Sequence, residues 1–159
     1  MEIISLEQFI DALPKLTADI SDVIVATYNN LDSYKNGGEV SANGKKVTIL
    51  CGGAAYADVE GAQNTKVAGA RKVSEGLARP EANSLVILYA GKSRFGEMVG
   101  LAYRLAGRGN KVVLVGCGCD PDIFDPLTPD PNITFVMPRN DFCNGGRGDL
   151  SRVVEAILK

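Results

Sequence analysis

The stretch "SLVILYAGKSRFGEMVGLAYRLAGRGNKVVLVGCG" (residues 84–118) decides the fold of this chain. Two runs rich in Val, Ile and Leu flank a segment whose apolar residues recur every three or four positions, which predicts a strand, a helix over residues 94–109 and a second strand. Neither run alternates apolar with polar residues. Such strands are typical of a parallel sheet that is covered by helices on both faces.

The same rhythm extends on both sides of this stretch. Residues 46–53 predict a strand that ends in two glycines, and residues 55–80 predict an alanine-rich helix that Pro80 stops. After a proline-broken surface segment, residues 133–138 predict a short strand. Residues 149–159 predict a last helix that begins at Asp149.

The amino-terminal part predicts a pair of helices. The first covers residues 5–13, with Ser5 as its N-cap and Pro14 as its end, and the second covers residues 17–38. A turn follows at Asn43-Gly44. We therefore expect a single domain over residues 1–159, in the α/β class. Its predicted form is a three-layer α/β/α arrangement around a mostly parallel, doubly wound, Rossmann-like sheet, with an N-terminal helical pair.

Composition excludes several classes of function. The chain has 159 residues with a formal net charge of −2, so it lacks the basic surface that nucleic-acid binding needs. Its longest apolar runs are too short to cross a bilayer, and its acidic, amphipathic start does not resemble a secretion signal. We expect a cytoplasmic protein that binds neither nucleic acid nor membrane.

The chain contains no histidine, which excludes mixed Cys/His zinc sites and every catalytic mechanism that uses an imidazole. Its four cysteines form no C-x-x-C pair, so we expect no metal and no cofactor. Buried thiols without a chemical role are the favoured interpretation, and a soft metal site or a redox pair is the alternative. The four are Cys51, Cys117, Cys119 and Cys143.

The loop after the strand at residues 84–91 carries the letters Gly-Lys-Ser but is not the nucleotide-binding loop G-x-x-x-x-G-K-[ST], because Val86 occupies the position of the first glycine. Gly91, Lys92, Ser93 and Arg94 instead stand directly before a predicted helix. A helix N-terminus offers free amides and partial positive charge, which together with two basic side chains suit a phosphate monoester. A serine cap beside two solvated charges is the alternative interpretation.

In parallel α/β sheets, ligands bind beyond the carboxyl ends of the strands. The ends of the strands at residues 46–53 and 84–91 are therefore expected to meet and to form a hollow for a small anion. Glycines at this edge serve either tight turns or close approach of the backbone to a ligand. They are Gly52, Gly53, Gly91, Gly116 and Gly118.

The order of these elements, together with "RGNKVVLV" at residues 108–115, resembles the sugar isomerase (SIS) domain, a family that binds phosphosugars and in some members isomerises them. The likeness covers about residues 5–137 and is strongest over residues 84–116. The family's second turn commonly reads S-x-S-G-x-[ST], and those positions fall on Ala90, Lys92, Ser93 and Phe95. Its first glycine-rich turn resembles "CGGAAYAD", in which Ala54 and Ala55 replace the hydroxyl.

The resemblance implies a phosphorylated sugar as the ligand, held by Gly52, Gly53, Ala54 and the loop at residues 91–94. It also implies a homodimer or a higher homo-oligomer. Aldose–ketose isomerisation needs a general base and a proton donor, for which family members often use glutamate and histidine. Glu97 is the candidate base here, and a favourable interaction with the helix dipole is the alternative role for this glutamate.

A second resemblance is to nucleoside deoxyribosyltransferases and related N-glycosidases. These enzymes place a catalytic glutamate in a context like G-x-x-x-E-[IL]-G-x-A, which "RFGEMVGLAY" (residues 94–103) matches one residue out of register. In that interpretation Glu97 is the nucleophile that attacks the anomeric carbon. It ranks second, because that family starts with a strand whereas two helices are predicted to start this chain.

Overall fold

The computed structural model describes residues 2–27, 38–51, 77, 80, 82–91, 95–116, 121–137 and 147–159. Within these ranges, seven strands form one sheet and three α-helices are present. The strands are β1 (Ile3–Ile4), β2 (Asp22–Thr27), β3 (Gly38–Ala42), β4 (Lys45–Cys51), β5 (Leu85–Ala90), β6 (Lys111–Gly116) and β7 (Ile133–Val136). The helices are α1 (Leu6–Leu16), α2 (Phe95–Gly107) and α3 (Arg147–Leu158), and a 3₁₀ turn covers Pro121–Phe124.

The strand order is β1-β7-β6-β5-β2-β4-β3, and every described pair is parallel except β3 with β4. The chain proceeds outward from β2 to β4, crosses back past β2 to β5, and continues through β6 to β7. The five inner parallel strands therefore follow the order 2-1-3-4-5, counted along the chain. The prediction of an α/β fold with a mostly parallel sheet is confirmed, and this order is compatible with a Rossmann-like layout.

Alternate residues of the inner strands contribute to two separate hydrophobic clusters. Residues such as Val25 and Ile87 pack with α1 and α3, whereas their neighbours Ala26 and Leu88 pack with α2. All six residues of β5 are buried. Because consecutive side chains of a strand point to opposite faces, this division explains why the strands read as unbroken apolar runs.

The second predicted helix, over residues 17–38, is wrong where the structure describes it, since Asp22–Thr27 form strand β2. This strand lies between β5 and β4, and Val23, Ile24, Val25 and Ala26 are all buried. A continuous apolar run fits helical spacing by coincidence, while its β-branched residues favour a strand. The expected N-terminal helical pair is therefore one helix, α1, followed by a central strand.

Helix α1 begins as predicted and ends later than predicted. Ser5 and Gln8 form a capping box, in which the Ser5 hydroxyl accepts from the Gln8 amide at 3.2 Å and the Ser5 amide donates to Gln8 Oε1 at 2.8 Å. Pro14 does not stop the helix, which continues to Leu16. Burial of Leu6, Phe9 and Leu13 on one face offsets the backbone hydrogen bond that a proline omits.

The predicted turn at Asn43-Gly44 is confirmed as the tip of the β3–β4 hairpin. Both residues have positive φ, 53° at Asn43 and 77° at Gly44, as a two-residue type I′ turn requires. The Asn43 side chain donates a hydrogen bond of 2.5 Å to the Leu158 carbonyl at the end of α3. The hairpin tip and the carboxyl end of α3 are thereby joined.

Helix α2 and β5 are tied together by the fully buried Asn110 side chain. Its Oδ1 accepts from the Ser84 amide at 3.2 Å, and its Nδ2 donates to the carbonyls of Leu105 at 3.0 Å and Pro80 at 3.4 Å. One amide thus connects the last turn of α2 to the residue that precedes β5. This contact fixes the helix against the strand that it follows.

Tyr103 on α2 donates a hydrogen bond to the Thr128 carbonyl in the proline-containing connection between β6 and β7. Burial, and the nearby Asp130 carboxylate, raise the pKa of the Tyr103 phenol above its ordinary value. Since the folded state resists loss of this proton, the contribution of Tyr103 to stability is complete below about pH 10 and falls as the pH rises further.

Tyr103→Phe is therefore expected to lower the free energy of unfolding by about 0.5–1 kcal/mol at pH 7, through loss of the hydrogen bond. The difference in the free energy of unfolding between the wild type and Tyr103→Phe should narrow above about pH 10, where only the wild type loses the contribution of the phenol. Urea unfolding at pH 7, 9 and 10.5 measures the gap. A gap that stays constant or widens would contradict the role assigned to the phenol.

Candidate functional site

The carboxyl ends of the parallel strands lie at one edge of the sheet, and the registers fix their neighbours. Thr27 at the end of β2 is paired with Cys51 of β4 on one side and with Tyr89 of β5 on the other, while Ala90 is paired with Gly116 of β6. The expectation that the ends of β4 and β5 meet is wrong, because β2 separates them. The anion hollow expected from these two ends alone does not match this order.

The point where the chain reverses direction across the sheet lies between β2 and β5. In open α/β sheets, the loops on the two sides of such a point run to opposite faces and leave a crevice beyond the strand ends. At this point the ends of the two strands lie side by side, because Thr27 is the register partner of Tyr89. The candidate functional site therefore lies at the carboxyl edge of β2 and β5.

The connection from β5 to α2 is short, covering residues 91–94, so the amino end of the 13-residue helix begins close to this edge. Gly91 is half-buried there. Glu97 lies in the first turn of α2 and is exposed. A carboxylate in this turn interacts favourably with the helix dipole, and an exposed one is also accessible to a ligand.

Most residues of the predicted site lie outside the described residues. These are Gly52, Gly53 and Ala54 after β4, and Lys92, Ser93 and Arg94 before α2. The predicted helix over residues 55–80 is outside them as well, apart from Pro80 and Leu77, which is buried in the cluster that contains α2. The structure describes the elements that flank these segments: the end of β4, the end of β5 and the start of α2.

Gly116 at the end of β6 has a packing role. A Cβ atom at this position would lie 2.9 Å from Cζ of Phe124 and 3.1 Å from Cε of Met137. Phe124 is itself fully buried and contacts the rings of Phe95 and Phe135, with centroids 5.8 and 5.3 Å away. The sequence predicted either a turn or access to a ligand at this glycine, whereas side chains of the protein itself fill the space.

A groove of about 620 Å³ lies at the opposite edge of the sheet, at the start of β2 and β4. One of its polar groups, Lys45, serves the fold: its Nζ donates to Thr17 Oγ1 at 2.7 Å, and Thr17 in turn donates to the Leu13 carbonyl at 2.8 Å. These contacts place a cation at the carboxyl end of α1, which is favourable for a helix dipole. Asp22 Oδ1 is buried there, and no hydrogen-bond partner is found for it among the described residues.

Among the described residues, no group of three or more Cys, Asp or Glu side chains is arranged to hold a metal ion. Cys51 is the last residue of β4, whereas Cys117, Cys119 and Cys143 lie outside these residues. No helix in the described part of the chain has both the length and the apolar character needed to cross a membrane.

Comparison with known proteins identifies no relative of this chain: no family model, no curated protein and no solved structure matches it.

The part of the site that sequence reasoning missed is the end of β2. Thr27 and the connection at residues 28–37 follow the strand that was interpreted as a helix. The available signal was the run of β-branched residues at positions 23–25, flanked by the polar pairs Ser21-Asp22 and Asn29-Asn30. A strand assignment there would have added the end of β2 to the strand ends considered for the site.

Proposed function

We propose that this chain is a SIS-like domain, with a three-layer α/β/α arrangement, that binds a phosphorylated sugar or a related carbohydrate derivative at the carboxyl edge of β2 and β5. The observation that carries the proposal is the position of the connection at residues 91–94. It joins the strand at the chain reversal to the amino end of α2. Anionic groups bind favourably at such helix ends.

The chemistry of the connection fits a phosphate monoester. Lys92 and Arg94 supply positive charge in a protein of net charge −2, and Ser93 supplies a hydroxyl. Hydrogen bonds between charged partners contribute roughly 1.5–3 kcal/mol each, about twice as much as neutral ones. The phosphate is thus the part of the ligand that this loop recognises, and the sugar extends toward the connections after β2 and β4.

The proposal concerns binding first and isomerisation second. Proton transfer between the sugar carbons would use Glu97 as its base, since this exposed carboxylate stands in the first turn of the helix that follows the loop. The chain contains no histidine to act as the second group. Because this second group is missing, we expect the protein to bind the phosphosugar and to isomerise it slowly or not at all.

A second candidate function is N-glycosidase chemistry with Glu97 as the nucleophile. One reason for ranking it second is weaker, because the second of the two helices expected at the start of the chain is strand β2, although helix α1 still precedes this strand. In this mechanism the Glu97 carboxylate attacks the anomeric carbon as the bond to the base breaks, and water then hydrolyses the glycosyl–enzyme. The two candidates use the same edge of the sheet and differ in their substrates.

The proposal predicts that hexose phosphates raise the melting temperature whereas the parent hexoses do not. At a ligand concentration of 100 times Kd, selective binding adds about 2.7 kcal/mol to the free energy of unfolding, which corresponds to a shift of roughly 5–10 °C for a domain of this size. Inorganic phosphate should give a smaller shift in the same direction. Differential scanning fluorimetry measures all three.

The loop is tested by the double substitution Lys92→Gln with Arg94→Gln, which should weaken phosphosugar binding by roughly 10- to 100-fold in calorimetric titration. Arg104→Gln is the matched control, since it removes an exposed cation from the other end of the same helix. Equal shifts in melting temperature with hexose phosphates and with the parent hexoses would contradict the proposal. Release of free base from nucleosides by the wild type, abolished in Glu97→Gln, would favour the second candidate.

A further inference from the structure

Strand β3 forms one edge of the sheet. It pairs with β4 in antiparallel register over Gly38–Ala42, and among the described residues no strand lies beyond it. Four of its five residues are exposed, and Val40 is half-buried. An edge strand offers a row of backbone donors and acceptors that another strand can use.

Natural edge strands usually carry features that block such pairing, including prolines, lysines and β-bulges. β3 lacks these three features, and Glu39 is its one charged residue. Its sequence, Gly-Glu-Val-Ser-Ala, contains neither proline nor lysine, and its register with β4 is unbroken over five residue pairs. The strand is thus suited to accept a partner strand.

The two-residue turn fixes which backbone groups point outward. In this kind of hairpin the residues that flank the turn, Ala42 and Lys45, form a hydrogen-bonded pair, and such pairs alternate along the ladder. Val40 and Gly38 therefore bond to β4 as well. The N–H and C=O groups of Glu39 and Ser41 point away from β4, toward the open edge.

We propose that a second copy of this chain pairs with this edge, with its own β3 antiparallel to the first and the two-fold axis at Val40. In this register Glu39 lies opposite Ser41 of the second copy, and Ser41 lies opposite its Glu39. Both pairs exchange backbone hydrogen bonds through the groups that point outward. Two other registers lie one step away. An axis at Glu39 places two like charges opposite each other, which is unfavourable, and an axis at Ser41 places serine opposite serine and leaves Glu39 without Ser41 as its neighbour.

Charge complementarity across the new contact favours a second copy over other strands. Ser41 is the cross-strand neighbour of Lys46 in β4, so both side chains lie on the same face. Once the two copies pair, Glu39 of the first copy, Ser41 of the second and Lys46 of the second stand in one row across three neighbouring strands. Because Ser41 is small, the Lys46 ammonium of the second copy is within reach of the Glu39 carboxylate of the first. The two-fold axis repeats this ion pair. On the other face, Val40 packs against Val40 of the second copy.

Sedimentation equilibrium over a range of protein concentrations tests the proposal with the full chain. The wild type should form a dimer, and Ser41→Pro should weaken dimerisation at least tenfold. The proline removes a donor that points outward and leaves the bonds to β4 in place, which is an arrangement in which edge strands tolerate proline. Ser41→Ala keeps the amide and is the matched control, expected to dimerise like the wild type.

Glu39→Lys gives a second, independent variant, because it places a lysine beside Lys46 of the second copy. It should also weaken dimerisation, and added salt should reduce its difference from the wild type. A wild type that is monomeric at every concentration would overturn the proposal. A dimer that neither variant weakens would overturn it as well, since its interface would lie elsewhere. Phosphosugar binding is measured separately, so either result leaves the ligand proposal to its own test.

Discussion

Replacing Asn110 with alanine is expected to lower the free energy of unfolding by about 3 kcal/mol. The substitution leaves the Ser84 amide and the Pro80 carbonyl without their side-chain partner in a buried place, and each such group costs roughly 1–3 kcal/mol. The Leu105 carbonyl suffers less, because it also accepts from the Asn110 backbone amide at 3.3 Å. Urea or thermal unfolding followed by circular dichroism gives the difference.

Asn132→Ala is the matched control, since Asn132 is exposed and its backbone, not its side chain, contacts Asp130. Its effect should stay within about 0.5 kcal/mol. A loss below about 1 kcal/mol for Asn110→Ala would show that the amide does not hold α2 against β5.

Asn110→Asp separates the acceptor from the donor at this site. An aspartate keeps an oxygen for the Ser84 amide but directs a second oxygen at the carbonyls of Leu105 and Pro80. Because burial disfavours the charged form, the pKa of the new carboxyl would be raised in the folded state. Its cost should therefore grow as the pH rises above about 4, where the unfolded chain loses the proton.

The segment from β5 to β6 was predictable because each of its elements shows a single hydrophobic pattern. β5 is apolar throughout, α2 has apolar residues at helical spacing, and β6 is apolar again. Gly109 ends the helical segment with a φ of 90°, as the sequence indicated. Local periodicity and burial agree in this part of the chain, so the boundaries fall within a few residues of the expected ones.

β2 was not predictable by the same rule, because a strand buried on both faces has no period of its own. Its residues match helical spacing, its β-branched composition favours a strand, and its pairing with β4 and β5 is what establishes the strand. This single error moved the predicted site. Without β2, the sequence predicts that the ends of β4 and β5 are neighbours, and the connection after Thr27 does not belong to the predicted site.

The chemistry of the site was easier to predict than its geometry. Lys92, Ser93 and Arg94 are visible as a basic, hydroxyl-bearing loop in the sequence, and their place before α2 follows from the helix that begins at Phe95. The partners across the crevice depend on strand order, which is a property of the whole sheet and not of any one segment. Gly116 shows the same limit, since its packing against Phe124 comes from a residue eight positions further along the chain.

Gly116→Val is expected to destabilise the fold by about 3 kcal/mol, and Gly116→Ala by roughly half as much. The Cβ of either residue would lie 2.9 Å from Cζ of Phe124, closer than packed atoms allow. The Met137 methyl group can move aside at the end of a flexible chain. The Phe124 ring cannot do so easily, because it is held between Phe95 and Phe135. Chemical denaturation of the purified variants measures both losses.

Two further variants distinguish overpacking from a general effect of removing glycine. Gly100 lies exposed in α2, and nothing stands within 4 Å of the place that a Cβ would take there, so Gly100→Ala should stabilise the helix by roughly 0.5–1 kcal/mol. Phe124→Leu makes room at β6, so the double variant with Gly116→Ala should lose less than the sum of the two single losses. Strictly additive losses would contradict the packing role. Weaker phosphosugar binding by folded Gly116→Ala would instead indicate that this glycine contacts the ligand.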